Sequence, residues 1–283
     1  PVPEDETNGI VQAALNGGIN WFDTAELYGF GASERAIARA LQLAGKADDE
    51  VIVATKWNPM LRFVSSIGKT INDRLEALAP YTIDLHQVHS PTAITTRSAE
   101  MNAMADLLNA GKIRSIGVSN FNARQMRAAH EALQKRGLKL ASNQVRYSLL
   151  HRKIESNGIM ETAKELGITI IGYSPLDMGL ITGKFHKTPS LLDSRPRLRR
   201  MLLRRRIESS RALVSELELI AAKYDVSTSQ VALNWLINFH GETVVVIPGA
   251  SKIKHAEQNV GAMTFKLSTD EMARIDQLSN QFK

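Results

Sequence analysis

The 283-residue chain predicts an α/β fold of the TIM type, a (β/α)8 barrel of which seven of the eight parallel strands can be found. Three observations carry this expectation. Short strand-like runs alternate with helix-like runs along the whole length, the signature of parallel strands joined by helical crossovers. The strands recur at roughly the 25 to 35 residue spacing of a β/α unit, and polar residues close nearly every one of them, as barrel active sites require. An open doubly wound sheet shares the alternation, but no Gly-x-Gly-x-x-Gly follows any strand and the polar residues do not gather at one switch point.

The elements follow in order. Helical periodicity over Asp5 to Asn16 precedes a strand at Ile19 to Asp23. A helix from Ser33, as N-cap, to Leu43 leads to the strand Val51 to Lys56. Helix Lys69 to Leu78, strand Ile83 to His89, helix Ala99 to Asn109 and strand Ile113 to Val118 repeat the unit. Helix Ala123 to Arg136, strand Leu140 to Val145, helix Gly158 to Leu166 and strand Ile168 to Tyr173 continue it. An insertion from Ser174 to Ile207 reads as loop. Helices Ser209 to Tyr224 and Ser229 to Asn238 lead to the strand Thr243 to Ile247, and helices Ile253 to Gly261 and Ser268 to Leu278 finish the chain. Alternation of side chains puts Trp21 with Asp23, Ala54 with Lys56, and Gln87 with His89 on the inner face, and turns Phe22, Val53, Val88 and His86 towards the helices.

Composition bounds the function. With 43% hydrophobic residues the chain can bury one large core, so residues 1–283 are expected to form a single barrel domain. Cysteine is absent, which excludes disulfides, thiol nucleophiles and thiolate metal sites and suits a reducing compartment. No run approaches the roughly 18 apolar residues of a membrane span, and the first residues lack the regions of a signal peptide. The expectation is a cytoplasmic protein, or a plastid stromal one if a transit peptide has been removed, monomeric or weakly oligomeric, with no membrane partner. The net charge of +6 is local: Arg195, Arg197, Arg199, Arg200, Arg204, Arg205 and Arg206 account for it. Without interleaved aromatics for base stacking, that run reads as a solvated loop leading into a helix, not as a nucleic-acid patch. The histidines outside the strand ends have no partners at metal spacing, so no metal site is expected.

Asp23, Lys56 and His89 close three consecutive strands, and Tyr28 follows Asp23 by five residues. With these four go Gly117-Val-Ser-Asn120, Ser142-Asn-Gln144, Gly172-Tyr-Ser-Pro-Leu176, Gly179-Leu-Ile-Thr-Gly-Lys184, and Ile247-Pro-Gly-Ala-Ser251 with Asn259. On these motifs, over essentially its whole length, the chain resembles an aldo-keto reductase. The resemblance implies reversible hydride transfer from NADPH to a small aldehyde or ketone. Hydride addition leaves an alkoxide, so the site needs an acid near the oxygen and groups that favour negative charge. Tyr28 is expected to be that acid, with Lys56 lowering its pKa, Asp23 compensating the lysine, and His89 orienting the substrate carbonyl.

By the same resemblance Asp23, Ser119, Asn120, Gln144 and Tyr173 would meet the nicotinamide, and Ser174, Pro175, Leu176 and Lys184 the pyrophosphate. Gly249, Ser251, Lys254, His255, Gln258 and Asn259 would hold the adenosine end, and cations beside a helix N-terminus suit a 2′-phosphate. Two positions depart from the family pattern, Gln258 where an acid is usual and His255 where arginine or glutamine is common. The family also opens with a strand that nothing here supplies, so the chain is expected to be a fragment or processed form with a gap between residues 19–23 and 243–247. A nicotinamide-binding regulatory or channel-associated subunit and an inactive truncated paralogue are the alternatives.

Overall fold

The computed structural model describes residues 2–193 and 196–283. Helix α1 (Glu4–Asn16) precedes β1 (Trp21–Asp23); α2 (Ala32–Leu43), β2 (Ile52–Trp57), α3 (Ser65–Leu78) and β3 (Leu85–Val88) follow. Next come α4 (Arg97–Asn109), β4 (Ser115–Ser119), α5 (Ala123–Gln134), β5 (Ser142–Arg146), α6 (Ile159–Leu166) and β6 (Thr169–Tyr173). The short α7 (Lys184–Lys187), the long α8 (Arg197–Tyr224), α9 (Thr228–Asn238), β7 (Val244–Ile247), α10 (Ile253–Gly261) and α11 (Thr269–Ser279) complete the order.

The strands pair in parallel in sequence order, β1 through β7, in one seven-stranded sheet. Register aligns Asp23 with Ala54, Lys56 with Gln87, and Ser119 with Gln144, so consecutive strand ends bring their polar residues to one level. The expected parity is observed. Ala54, Leu85 and Ile171 plug the barrel with Trp21, Val245 and Ile247 around them, while Val53, Val88, Ile116 and Val118 pack outward against the helices. Gly117 is an inward position where size matters: a Cβ there would lie 2.4 Å from the Ser142 hydroxyl and 2.9 Å from the Gln87 Cγ, so only glycine leaves room for Gln87.

Three expectations need correction. The insertion does not run as loop to Ile207, because α8 starts at Arg197 and takes in most of the arginine run. Arginine, leucine and methionine are good helix formers, and Pro196 just before the first turn starts the helix rather than prolonging the loop. Arg195, and the side chains of Arg197 and Arg199, lie outside the described residues. Arg206 pairs with buried Asp177, and Arg200 and Arg204 stand 3.6 and 3.7 Å from Asp193, so part of the run holds the insertion together. Ser33 does not cap α2; Gly31 takes that position at φ 86°, and the Ser33 hydroxyl bonds to the Thr24 hydroxyl at 2.8 Å.

The gap is where it was expected. Among the described residues β1 pairs only with β2, and β7 only with β6. The residues of these two edge strands are mostly half-buried, whereas β3 is buried throughout. A cavity of about 2070 Å³ opens between the edges, lined by Val11, Ala14, Trp21, Phe22, Leu233 and Val246 among others, and it is continuous with the mouth of the barrel at Tyr28 and His89.

Candidate active site

Lys56 points from β2 into the barrel, where its side chain has no exposure, and its ammonium is met by the Asp23 carboxylate at the end of β1. It also donates to the Thr24 carbonyl at 2.7 Å. The second Asp23 oxygen accepts from Gln144 at 2.8 Å and from Gln87 at 3.2 Å, so the buried pair has its remaining lone pairs satisfied, the condition under which burying two charges is tolerable. Tyr28 sits on the loop between β1 and α2, whose shape depends on Gly29 and Gly31 at positive φ. The Lys56 ammonium lies 5.3 Å from the centre of the Tyr28 ring. His89, directly after β3, presents its ring edge-on to Tyr28 with centroids 5.8 Å apart.

Burial, then the Asp23 carboxylate, push the Tyr28 phenol above its ordinary value of 10. The expectation that Lys56 lowers it is therefore corrected: the ammonium is closed on Asp23, whose charge reaches the phenol as well. Burial pulls Lys56 below the usual lysine range against the pull of Asp23. Burial and the Lys56 charge hold His89 below its usual value, which keeps it neutral at pH 7 with one N–H to donate.

A second polar group lines the other side of the mouth. Ser119 donates to the Gln144 carbonyl at 2.9 Å, the Asn120 amide donates to Ser119 at 3.1 Å and to the His89 carbonyl at 3.3 Å, and the Tyr173 hydroxyl donates to Asn120 at 3.0 Å. Asn120 holds this place at φ 61°, a conformation asparagine tolerates better than most residues. The cleft runs from Asp23, Tyr28 and His89 past Ser119, Asn120, Gln144, Tyr173 and Ser174 to Gly249 and Asn259. Pro175, Leu176, Lys184, Ser251, Lys254, His255 and Gln258 stand outside its lining. Ser251 and His255 contact each other at 3.3 Å instead.

Three further residues shape the site without a motif to mark them. Gln87, on the inner face as its parity indicates, donates to Asp23 at 3.2 Å. Glu26 ties the Tyr28 loop to its neighbour through a buried carboxylate. Glu6 of α1 accepts the Ile253 N–H at 2.9 Å at the start of α10. Its signal is an acid in a helix far away in sequence, which spacing alone does not reveal.

The profile of the Aldo/keto reductase family matches residues 1–280. The chain belongs to that family. Aldo/keto reductases are oxidoreductases, and its curated relatives include the chloroplastic pyridoxal reductase of Arabidopsis thaliana, 34% identical over 96% of this chain and 76% of the relative. The aldo-keto reductase yakc [NADP(+)] of Schizosaccharomyces pombe is 30% identical over 97% and 83%. Among solved structures, the glycerol dehydrogenase AKR11B4 of Gluconobacter oxydans superposes with a TM-score of 0.83 at 29% identity, covering 100% of this chain and 88% of that one.

Proposed function

We propose that this aldo/keto reductase reduces an aldehyde or ketone to an alcohol with NADPH, with Tyr28 as the general acid. The observation that carries the reading is the buried Lys56–Asp23 pair lying beneath a phenol that stands edge-on to a neutral histidine at the barrel mouth. A structural ion pair needs neither the tyrosine nor the histidine. The chain's residues also fit the cofactor: the Ser119 hydroxyl, the Asn120 amide and the Tyr173 hydroxyl are linked at the mouth, and Gln144 lines the same cleft, a donor and acceptor set for a carboxamide next to an aromatic face. A reduced nicotinamide, when bound, supplies a hydride to the carbonyl carbon.

The protein groups do the rest. His89 donates its N–H to the carbonyl oxygen and sets its direction. As negative charge develops there, the His89 N–H and the Tyr28 hydroxyl stabilise it, and Tyr28 passes its proton to the alkoxide, while the Lys56–Asp23 pair holds the floor of the site. A raised phenol pKa does not obstruct this, because an alkoxide is a far stronger base than a phenolate. The same shift keeps the acid loaded at neutral pH. Aldehydes such as pyridoxal are proposed substrates, and the cytoplasm the proposed location; no described helix is long and apolar enough to cross a membrane. A panel of aldehydes and ketones followed by loss of NADPH absorbance tests the reading. Turnover of several members supports it, and no turnover of any member at saturating cofactor counts against it.

A further inference from the structure

We infer that Glu26 is a positioning residue, which fixes the segment after β2 to the loop bearing Tyr28 and so sets where the substrate carbonyl meets the phenol. The inference rests on the reductase reading above. Glu26 lies two residues before Tyr28 and is 5% exposed. One carboxylate oxygen accepts from the Asn58 backbone N–H at 2.5 Å and from Arg62 at 2.6 Å; the other accepts from Arg74 of α3 at 3.2 Å. Arg74 also pairs with Glu34 at 3.0 Å, and Glu34 in turn accepts from the Thr55 hydroxyl at 2.6 Å, next to Lys56 in sequence. One arginine thus grips both ends of the 26–34 stretch, and one carboxylate joins that stretch to residues 58–62.

The loop's own shape does not require this tie. Backbone bonds from Tyr28 to Ala25 at 3.0 Å and from Gly31 to Glu26 at 3.1 Å already close it. Stability is a poor reason to bury the carboxylate, since desolvating it offsets most of what its partners return. What the tie adds is a fixed relation between two loops at the mouth. Leu61, in the tethered segment, holds φ 56° with its side chain 83% exposed, a costly conformation for a free loop, and Phe30 of the other loop is 87% exposed. The Glu26 tie holds apolar surface from both loops in place beside the barrel mouth.

The test compares wild type, Glu26→Ala, Glu26→Gln, Arg62→Ala and the Glu26→Ala/Arg62→Ala double variant. Reduction of 4-nitrobenzaldehyde is followed by NADPH absorbance, NADPH affinity by tryptophan fluorescence, and exchange of the residue 58–62 amides by mass spectrometry. Expected for Glu26→Ala is at least a tenfold loss in kcat/KM, NADPH affinity within twofold of wild type, and faster exchange at 58–62. Glu26→Gln, which still accepts the Asn58 N–H, should recover to within threefold of wild type. Arg62→Ala should lower kcat/KM alone but add less than twofold on the Glu26→Ala background. If Glu26→Ala does not fold, Arg62→Ala decides: wild-type kcat/KM and unchanged exchange at 58–62 in that variant overturn the inference. So does a Glu26→Ala loss that appears equally in NADPH affinity. A wild-type protein without turnover would count against the reductase reading alone, and the exchange at 58–62 would then still support or overturn the tie.

Discussion

The Tyr28 proton is held more firmly than in free tyrosine, because burial and the Asp23 carboxylate both oppose the phenolate. Since the acid must be protonated to act, kcat/KM for carbonyl reduction is expected to stay flat from about pH 7 to about 9.5 and to fall only above about 10. A pH series at fixed ionic strength checks this, and a decline centred near pH 8 would contradict it. His86 acts on stability instead. It is fully buried against the helix layer, as its parity indicated, and burial followed by the Arg74 charge lowers its pKa to about 4. The folded value lies below the unfolded one near 6.5, so the unfolded chain binds the proton first and stability falls as pH drops from about 6.5 to 4, by about 3 kcal/mol. Glu100 works in the opposite sense, since burial raises it to about 7, so the comparison must be made with a His86→Gln variant. In urea unfolding, moving from pH 7 to pH 5 should lower the stability of wild type relative to the variant, because only wild type carries the His86 loss against the Glu100 gain; equal changes in the two proteins would refute the assignment. Asp23, Tyr28, Lys56 and His89 were legible as residues because strand ends declare themselves in sequence. Their partners Gln87 and Gln144 were harder to assign, since their bonds to Asp23 span 64 and 121 residues.

At the scale of elements, the β/α alternation and inner-outer parity could be read from hydrophobic period alone, and the register in fact aligns the polar strand ends. The arginine-rich start of α8 could not. Charge suggested solvated loop, while intrinsic propensity and the Asp177 contact make it helix. The start of α10 shows a similar limit. Ser251, Lys252 and Lys254 there motivate tighter binding of NADPH than NADH, by about ten- to a hundredfold if charge-assisted contacts worth roughly 1.5 to 3 kcal/mol are made. Glu6 already takes the Ile253 N–H at that helix end, and its negative charge opposes a phosphate. Glu6→Gln should therefore widen the gap between the two cofactors, and added salt should narrow it. Calorimetric titrations giving equal dissociation constants for NADPH and NADH in both proteins would refute this.

Across the whole molecule the seven-strand order and the position of the gap followed from counting strands against the barrel's need for eight. The size of the opening did not, because it depends on how α1 and α9 line it. Among the described residues the two edge strands are unpaired on one side and carry half-buried apolar side chains, which favours pairing with other chains. The chain is expected to associate above micromolar concentration, seen as a concentration-dependent mass in light scattering; a constant monomer mass would contradict that. The chemistry is more local than the closure of the sheet, since Tyr28, Lys56, Asp23 and His89 are assembled by β1, β2 and β3 alone. Tyr28→Phe tests it most directly, measured against wild type by NADPH oxidation with an aldehyde at saturating cofactor and by NADPH affinity in parallel. The account predicts a loss of turnover of at least about a hundredfold with affinity within twofold, as removal of a general acid requires; turnover retained within tenfold of wild type would contradict it.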